Sequence, residues 1–232
     1  IDVAGIFNPS SVTFSSGVVV VTGNTINFSS AAAQTMPTFW YGSISNSGNG
    51  NRTWANTGAN SNTIEINGTF TPTTATNTIT GSTVKYTATS GTYNLSNFTT
   101  NVAGRLYNNL IFNGAGGTWS SGAVSLGING NLTVSAGILN IGTVSAGTII
   151  VDGTSTFNGG TFNLTSAAGT GNATFTGVVT VSGGTTNFAN GTGAGTGTVT
   201  ISNALNINSG TLNITNSTSA ANVTITGALT IN

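Results

Sequence analysis

The C-terminal half of the chain repeats three short patterns in a fixed order, and this repeat restricts the fold more than any other feature of the sequence. Each pattern typically has two apolar residues around a polar one, which is the two-residue period of a strand with one buried face. We call the patterns a, b and c; b begins seven residues after a, and the next a begins six residues after c. Pattern a lies at residues 132–134, 155–157, 179–181, 205–207 and 229–231, pattern b at 139–141, 162–164, 186–188 and 212–214, and pattern c at 149–151, 173–175, 199–201 and 223–225.

All variation in repeat length falls between b and c, where the steps are 10, 11, 13 and 11 residues. A coil of stacked rungs must keep its strands aligned, but it can extrude loops at one corner. Glycine-rich connectors fill the corner between a and b, where a tight bend needs a positive φ. The sequence therefore predicts an all-β fold, a parallel β-solenoid (β-helix) with about three short strands in each rung of 23–26 residues.

Stacking of rungs aligns the apolar residues into inner columns, whose burial supplies folding free energy at roughly 25 cal/mol per Å². The middle residues are expected to face outward, with Thr on one face and Asn140, Asn163, Asn187 and Asn213 on the next, where amides can hydrogen-bond along the axis. The predicted stacking core consists of Leu132, Val134, Leu139, Ile141, Phe157, Phe162, Leu164, Val179, Val181, Phe188, Val199, Ile201, Leu205, Ile207, Leu212, Ile214, Val223 and Ile225.

The N-terminal half follows a looser pattern. Residues 25–70 align with residues 83–132 at offsets of 58 to 66, which suggests two larger repeat units with aromatic loops. We therefore divide the chain into an N-terminal segment (1–24), an irregular solenoid (25–130) and regular three-strand rungs (131–232), and expect one continuous domain.

The composition excludes several kinds of site. The 232 residues include no His and no Cys, three Lys or Arg and three Asp or Glu, so zinc sites, thiol or histidine catalysis, disulfides and a polybasic nucleic-acid surface are ruled out. No apolar run approaches the roughly 18 residues of a membrane-spanning helix, so membrane insertion is not expected. The acids are far apart in sequence, so we expect neither catalysis nor a metal or other cofactor, and we expect the charged residues to be exposed. They are Asp2, Arg52, Glu65, Lys85, Arg105 and Asp152.

The amino-acid sequences of three segments resemble those of known surface proteins. Residues 107–119 read YNNLIFNGAGGTW, residues 128–142 read INGNLTVSAGILNIG, and residues 182–187 read SGGTTN. The first two phrases are similar to those of large repetitive surface proteins of Bacteroidetes-type bacteria. The third resembles rungs of autotransporter passenger domains and filamentous-haemagglutinin-like adhesins. The resemblance implies export to an extracellular or cell-surface location and a role in adhesion or matrix building.

The two ends suggest self-assembly. Asn232 follows the last pattern a directly, so the final rung lacks its b and c strands; either the sequence is part of a longer chain, or another copy completes the rung. Residues 1–7 are an apolar candidate for a donor strand. The predicted assembly residues are Ile1, Val3, Ile6, Phe7, Leu229 and Ile231.

Three functions follow as expectations. The first is a non-enzymatic extracellular structural protein that forms a surface fibre by head-to-tail strand pairing with copies of itself. The second is an adhesin stalk or carbohydrate-binding module for cell-surface or matrix polysaccharide, with Trp40, Trp54 and Trp119 as glycan contacts. The third is ice binding, through the flat Thr and Asn columns of pattern c.

Overall fold

The structure is a computed structural model that describes residues 2–3, 23, 25–58, 60–72, 76–79, 81–95, 106–121, 125–143, 146–166, 168–190, 195–215 and 218–232. Strands are the only regular elements among these residues, and they pair in parallel, so the predicted β-solenoid is confirmed. The strands are β1 (Asp2–Val3), β2 (Thr25–Phe28), β3 (Gln34–Thr38), β4 (Trp40–Tyr41), β5 (Ser43–Asn46), β6 (Arg52–Gly58), β7 (Thr63–Ile66), β8 (Phe70–Pro72), β9 (Asn77–Ile79), β10 (Thr83–Tyr86), β11 (Thr92–Asn94), β12 (Asn109–Ser120), β13 (Ser125–Ile128), β14 (Leu132–Gly142), β15 (Gly147–Val151), β16 (Ser155–Thr165), β17 (Gly171–Phe175), β18 (Val179–Ala189), β19 (Thr196–Ile201), β20 (Leu205–Thr215), β21 (Ala220–Ile225) and β22 (Leu229–Ile231).

The strands follow one another around three faces, which we name a, b and c after the patterns they carry. Face a is a single ladder through β4, β7, β10, β12, β14, β16, β18, β20 and β22. Face b holds β1, β2, β5 and β8 in the N-terminal part, then β11 and the second halves of β12, β14, β16, β18 and β20. Face c holds β3, β6 and β9, then β13, β15, β17, β19 and β21.

The N-terminal half winds in the same way as the regular half. Along face a, Trp40 pairs with Glu65, Glu65 with Lys85, and Lys85 with Ile111, so each step is a single turn of 20 to 26 residues. The alignment that suggested two larger units equates β2 on face b with β10 on face a. Strands of the same face recur every three elements in this half, and β2 and β10 are eight elements apart. The two segments therefore have similar strand sequences but lie on different faces of the coil.

Patterns a and b are joined in the structure. In β14 the two patterns form one long strand, which bends at Gly137 instead of breaking. Gly137, Gly160, Gly184 and Gly210 occupy this corner in four consecutive turns, with φ of 78°, 64°, 64° and 82°. The positive φ predicted at this corner is therefore confirmed, and the glycines form a column in which each backbone lies against the one before it.

Burial of the apolar columns depends on the position of the turn. The structure buries Leu132, Val134, Leu139, Ile141, Phe157, Phe162, Leu164, Val179, Val181, Phe188, Val199, Ile201 and Leu205. Ile207, Leu212, Val223 and Ile225 are partly buried, and Ile214 is 40% exposed. Leu212, Ile214, Val223 and Ile225 have a neighbouring rung on one side only. Ile207 lies between Val181 and the exposed Ile231 of the short strand β22.

The asparagine column of face b differs from expectation at its two middle members, which are buried, whereas Asn140 and Asn213 are partly exposed. Asn163 and Asn187 are 7% and 3% exposed, not solvent-facing. Each amide donates to the previous rung, with Asn163 Nδ2 2.8 Å from Asn140 Oδ1, and the next two steps at 2.7 Å. Asn190, in the connection after β18, also donates to Asn163 Oδ1 over 3.2 Å. Asn190, at the start of the b–c corner after β18, therefore contacts the ladder, which sequence spacing alone did not indicate.

Replacing Asn187 with alanine tests the ladder. The change removes the donor to Asn163 Oδ1 and the acceptor for Asn213 Nδ2, so we expect a loss of about 2–4 kcal/mol in the free energy of unfolding. Urea unfolding followed by far-UV circular dichroism measures the loss. Asn206→Ala is the matched control, because Asn206 lies on the outward side of face a, and it should cost under about 1 kcal/mol. Equal losses for both variants would contradict a stabilising ladder.

Candidate functional site

The last described turn presents an apolar, half-paired edge. β22 pairs with β20 on face a, and β21 pairs with β19 on face c. Four large apolar side chains are exposed among the residues that the structure describes, and three of them lie in this turn: Ile214 at 40%, Leu229 at 54% and Ile231 at 70%. We call these three residues the apolar edge. A sheet edge of this kind offers both backbone hydrogen bonds and apolar surface to a further strand.

The N-terminal segment contributes a strand to the chain's own coil. Asp2 pairs with Asn27 and Val3 with Phe28, in parallel, so β1 is the outermost described strand of its sheet. The other predicted assembly residues of this segment, Ile1, Ile6 and Phe7, lie outside the described residues. β1 is on face b, in line with the second half of β20, whereas Leu229 and Ile231 belong to β22 on face a.

The three tryptophans occupy different environments. Trp54 and Trp119 are fully buried, where Trp54 packs 5.0 Å from Phe70 and Trp119 packs 5.2 Å from Phe112, between ring centroids. Neither ring can therefore offer a face to a glycan in this fold, which corrects two of the three predicted contacts. Trp40 is half-buried on the outward side of face a.

A continuous outward column runs along face a from Trp40. Its next members are Glu65, Lys85, Ile111 and Thr133, each in register with its neighbour. Lys85 Nζ lies 3.0 Å from Glu65 Oε2, and the two side chains are 27% and 21% exposed. Two of the six charged residues thus form a cross-strand ion pair one rung from Trp40.

Arg52 is fully buried, which corrects the expectation that the charged residues are exposed. Its guanidinium donates to backbone carbonyls of the preceding turn, with Nη2 2.7 Å from Phe28 O and 3.0 Å from Ser30 O. Nη1 donates to Gly50 O in the loop that leads into β6. Burial lowers the pKa of the Arg52 guanidinium. Five donors in a planar fork suit such a carbonyl cage, so Arg52 fastens the loops before β3 and β6 together. Arg105 lies outside the described residues.

The acidic residues are separated. Glu65 is on face a, whereas Asp152 follows β15 on face c, and the strands β10 and β12 lie between their turns. In the part of the chain that the structure describes, no three acidic, His or Cys side chains come together as a metal site would require. The expectation that the protein is not an enzyme stays a prediction.

The outward side of face c carries two polar columns. Thr148, Asn172, Thr198 and Asn222 are in register in one, and Ile150, Thr174, Thr200 and Thr224 in the other. From β17 onward, the Asn172, Thr174, Thr198, Asn222 and Thr224 side chains are exposed. Ice binding by these columns stays a prediction, which a thermal-hysteresis measurement checks.

Comparisons with known proteins assign neither a family nor a function to the chain. None of the described elements is a helix with the length and hydropathy needed to cross a bilayer. No protein-family model, no curated protein and no solved structure matches the chain. What is shown is that the protein is a repetitive β-solenoid.

Proposed function

We propose that this protein is a non-enzymatic extracellular structural protein whose copies stack end to end into a surface fibre. The observation that carries the proposal is the apolar edge, because exposed Ile214, Leu229 and Ile231 are concentrated on one end of a parallel coil. A further turn would bury these side chains and pair the open backbone. The proposal assigns that turn to a second copy.

The parallel topology supports a fibre. Since the strands pair in parallel, the two ends of the described coil are different surfaces, and a contact between them is head to tail. Such a contact repeats by translation along the axis without closing, which generates a filament. The resemblance of the sequence phrases to large repetitive surface proteins of Bacteroidetes-type bacteria, and to autotransporter passenger domains and filamentous-haemagglutinin-like adhesins, supports an extracellular, cell-surface location. The low charge supports stacking of copies, because rungs stacked in register tolerate neutral columns better than charged ones.

Charging the apolar edge tests the proposal. The protein should form rods whose length increases with concentration, and Leu229→Lys with Ile231→Lys should leave folded monomers, because stacked copies would bury two ammonium groups without partners. Sedimentation velocity and negative-stain micrographs measure both. Ile138→Lys is the matched control, because Ile138 is 38% exposed at the a–b corner of β14, away from the edge, and it should still assemble.

Two outcomes would contradict the proposal. One is an unmodified protein that stays monomeric at high concentration, which would mean that something other than a second copy covers the edge. The other is a doubly charged variant that assembles as well as the unmodified protein.

A further inference from the structure

A small patch on the outward side of face a combines an indole ring, an ion pair and neutral hydrogen-bonding groups. Trp40, Glu65 and Lys85 form one column, in register across β4, β7 and β10. Two residues earlier on the neighbouring strands, a second outward column is also in register. We call the two columns the Trp40 patch, and its members are Trp40, Glu65, Lys85, Thr63, Thr83 and Asn109.

The groups of the patch keep part of their bonding capacity. All six side chains are half-buried, so each is held by the sheet yet reaches its surface. Glu65 uses one carboxylate oxygen for Lys85, at 3.0 Å. A carboxylate has about four acceptor sites and an ammonium three donors, so both can still bond a ligand hydroxyl. Asn109 Nδ2 lies 3.5 Å from Thr83 Oγ1, which orients that amide along the column.

We propose that the Trp40 patch binds a neutral saccharide. A sugar ring has an apolar C–H face, which fits the accessible part of the Trp40 indole, and a rim of hydroxyls, which fits the ion pair and the Thr and Asn groups. The patch spans the four adjacent strands β4, β7, β10 and β12, so strand spacing makes it about 14 Å along the axis and about 7 Å across. That area accommodates one to two sugar rings.

Other ligand classes fit the patch less well. An anionic ligand would meet the Glu65 carboxylate directly beside Lys85, and the patch has no net positive charge to attract it. A purely apolar ligand would strip water from the ion pair without replacing its hydrogen bonds, which is costly. A neutral ligand rich in hydroxyls avoids both penalties. The patch is also local, because the column continues as Ile111, Thr133, Thr156 and Thr180, without an aromatic or charged side chain.

Oligosaccharide titration tests the proposal. The probes are cellohexaose, xylohexaose, laminarihexaose and chitohexaose, each titrated separately and followed by tryptophan fluorescence and calorimetry. Because Trp54 and Trp119 are buried, a saturable fluorescence change reports mainly on Trp40. We expect at least one hexaose to bind. The Trp40→Ala and Lys85→Met variants should each weaken that binding about tenfold or more.

Controls separate binding from folding and from assembly. Trp40→Phe keeps an aromatic ring and should keep part of the affinity, while far-UV circular dichroism checks that each variant folds. Thr156→Ala, lower in the same column, should change the affinity less than about twofold. Repeating the titration on the doubly charged edge variant makes the result independent of fibre formation. The proposal is overturned if no hexaose binds, if Trp40→Ala binds as well as the unmodified protein, or if alginate binds more tightly than every neutral hexaose.

Discussion

Replacing Gly184 with alanine is expected to destabilise the protein by about 2–5 kcal/mol, which is a large part of the stability of a typical domain. The residue has a φ of +64°, where an alanine costs about 1–2 kcal/mol. An added Cβ would also lie 2.3 Å from Gly160 O and 2.6 Å from Gly159 C in the previous turn. Those atoms are backbone held by the ladder on both sides, so relief requires the rungs to separate, at about 1–3 kcal/mol more. Urea unfolding followed by circular dichroism measures the loss.

Gly23→Ala is the matched control for the steric part of this effect. Gly23 has a similar positive φ, +78°, and no described atom lies within 4 Å of an added Cβ. Its replacement therefore carries a similar conformational cost without the overlap, and it should be milder than Gly184→Ala by about 1–3 kcal/mol. If the two variants lost the same stability, close contact between the stacked corners would not be what requires glycine.

Replacing Arg52 with lysine should cost about 2–6 kcal/mol. Lysine keeps the buried positive charge, and with it the cost of desolvation, but it has a single nitrogen in place of the planar fork. The carbonyls of Phe28 and Gly50 cannot both keep a side-chain donor, and each buried hydrogen bond that is lost costs about 1–3 kcal/mol. Differential scanning calorimetry and chemical unfolding measure the change.

Lys85→Ala provides the comparison for Arg52. Unlike Arg52→Lys it removes the cation outright, but the ion pair with Glu65 is partly exposed, so the loss should stay below about 1 kcal/mol. A loss for Arg52→Lys as small as that for Lys85→Ala would show that the carbonyl cage does not depend on the guanidinium fork.

The repeat determined much of the fold directly. Two constant spacings and one variable spacing gave the parallel coil, the position of its loops and the in-register columns, because stacked rungs allow length changes only at a corner. The positive φ at Gly137, Gly160 and Gly184 followed from the same regularity. The amide ladder from Asn140 to Asn213 also followed, because residues of one type in register can bond along the axis.

The N-terminal half could be predicted less well. Its turns vary from 20 to 26 residues along face a, and similar strand sequences occur on different faces. Sequence alignment therefore equated β2 on face b with β10 on face a. Only the pairing register showed that Trp40, Glu65 and Lys85 share one outward column. Those three residues are 25 and 20 positions apart, and no local pattern connects them.

The sequence by itself determined that the chain coils, which residue types point inward, and which catalytic and metal chemistries its composition lacks. The tertiary structure alone decided which polar and aromatic groups are enclosed. It buried Arg52 in a cage of carbonyls, closed Trp54 and Trp119 inside the coil, covered Asn163 and Asn187, and left Trp40 at the surface. The physical reason is that strand periodicity fixes the direction of a side chain within its own rung. Its solvent exposure is fixed by the rungs above and below and by the loops that fold over it, and these come from distant parts of the chain.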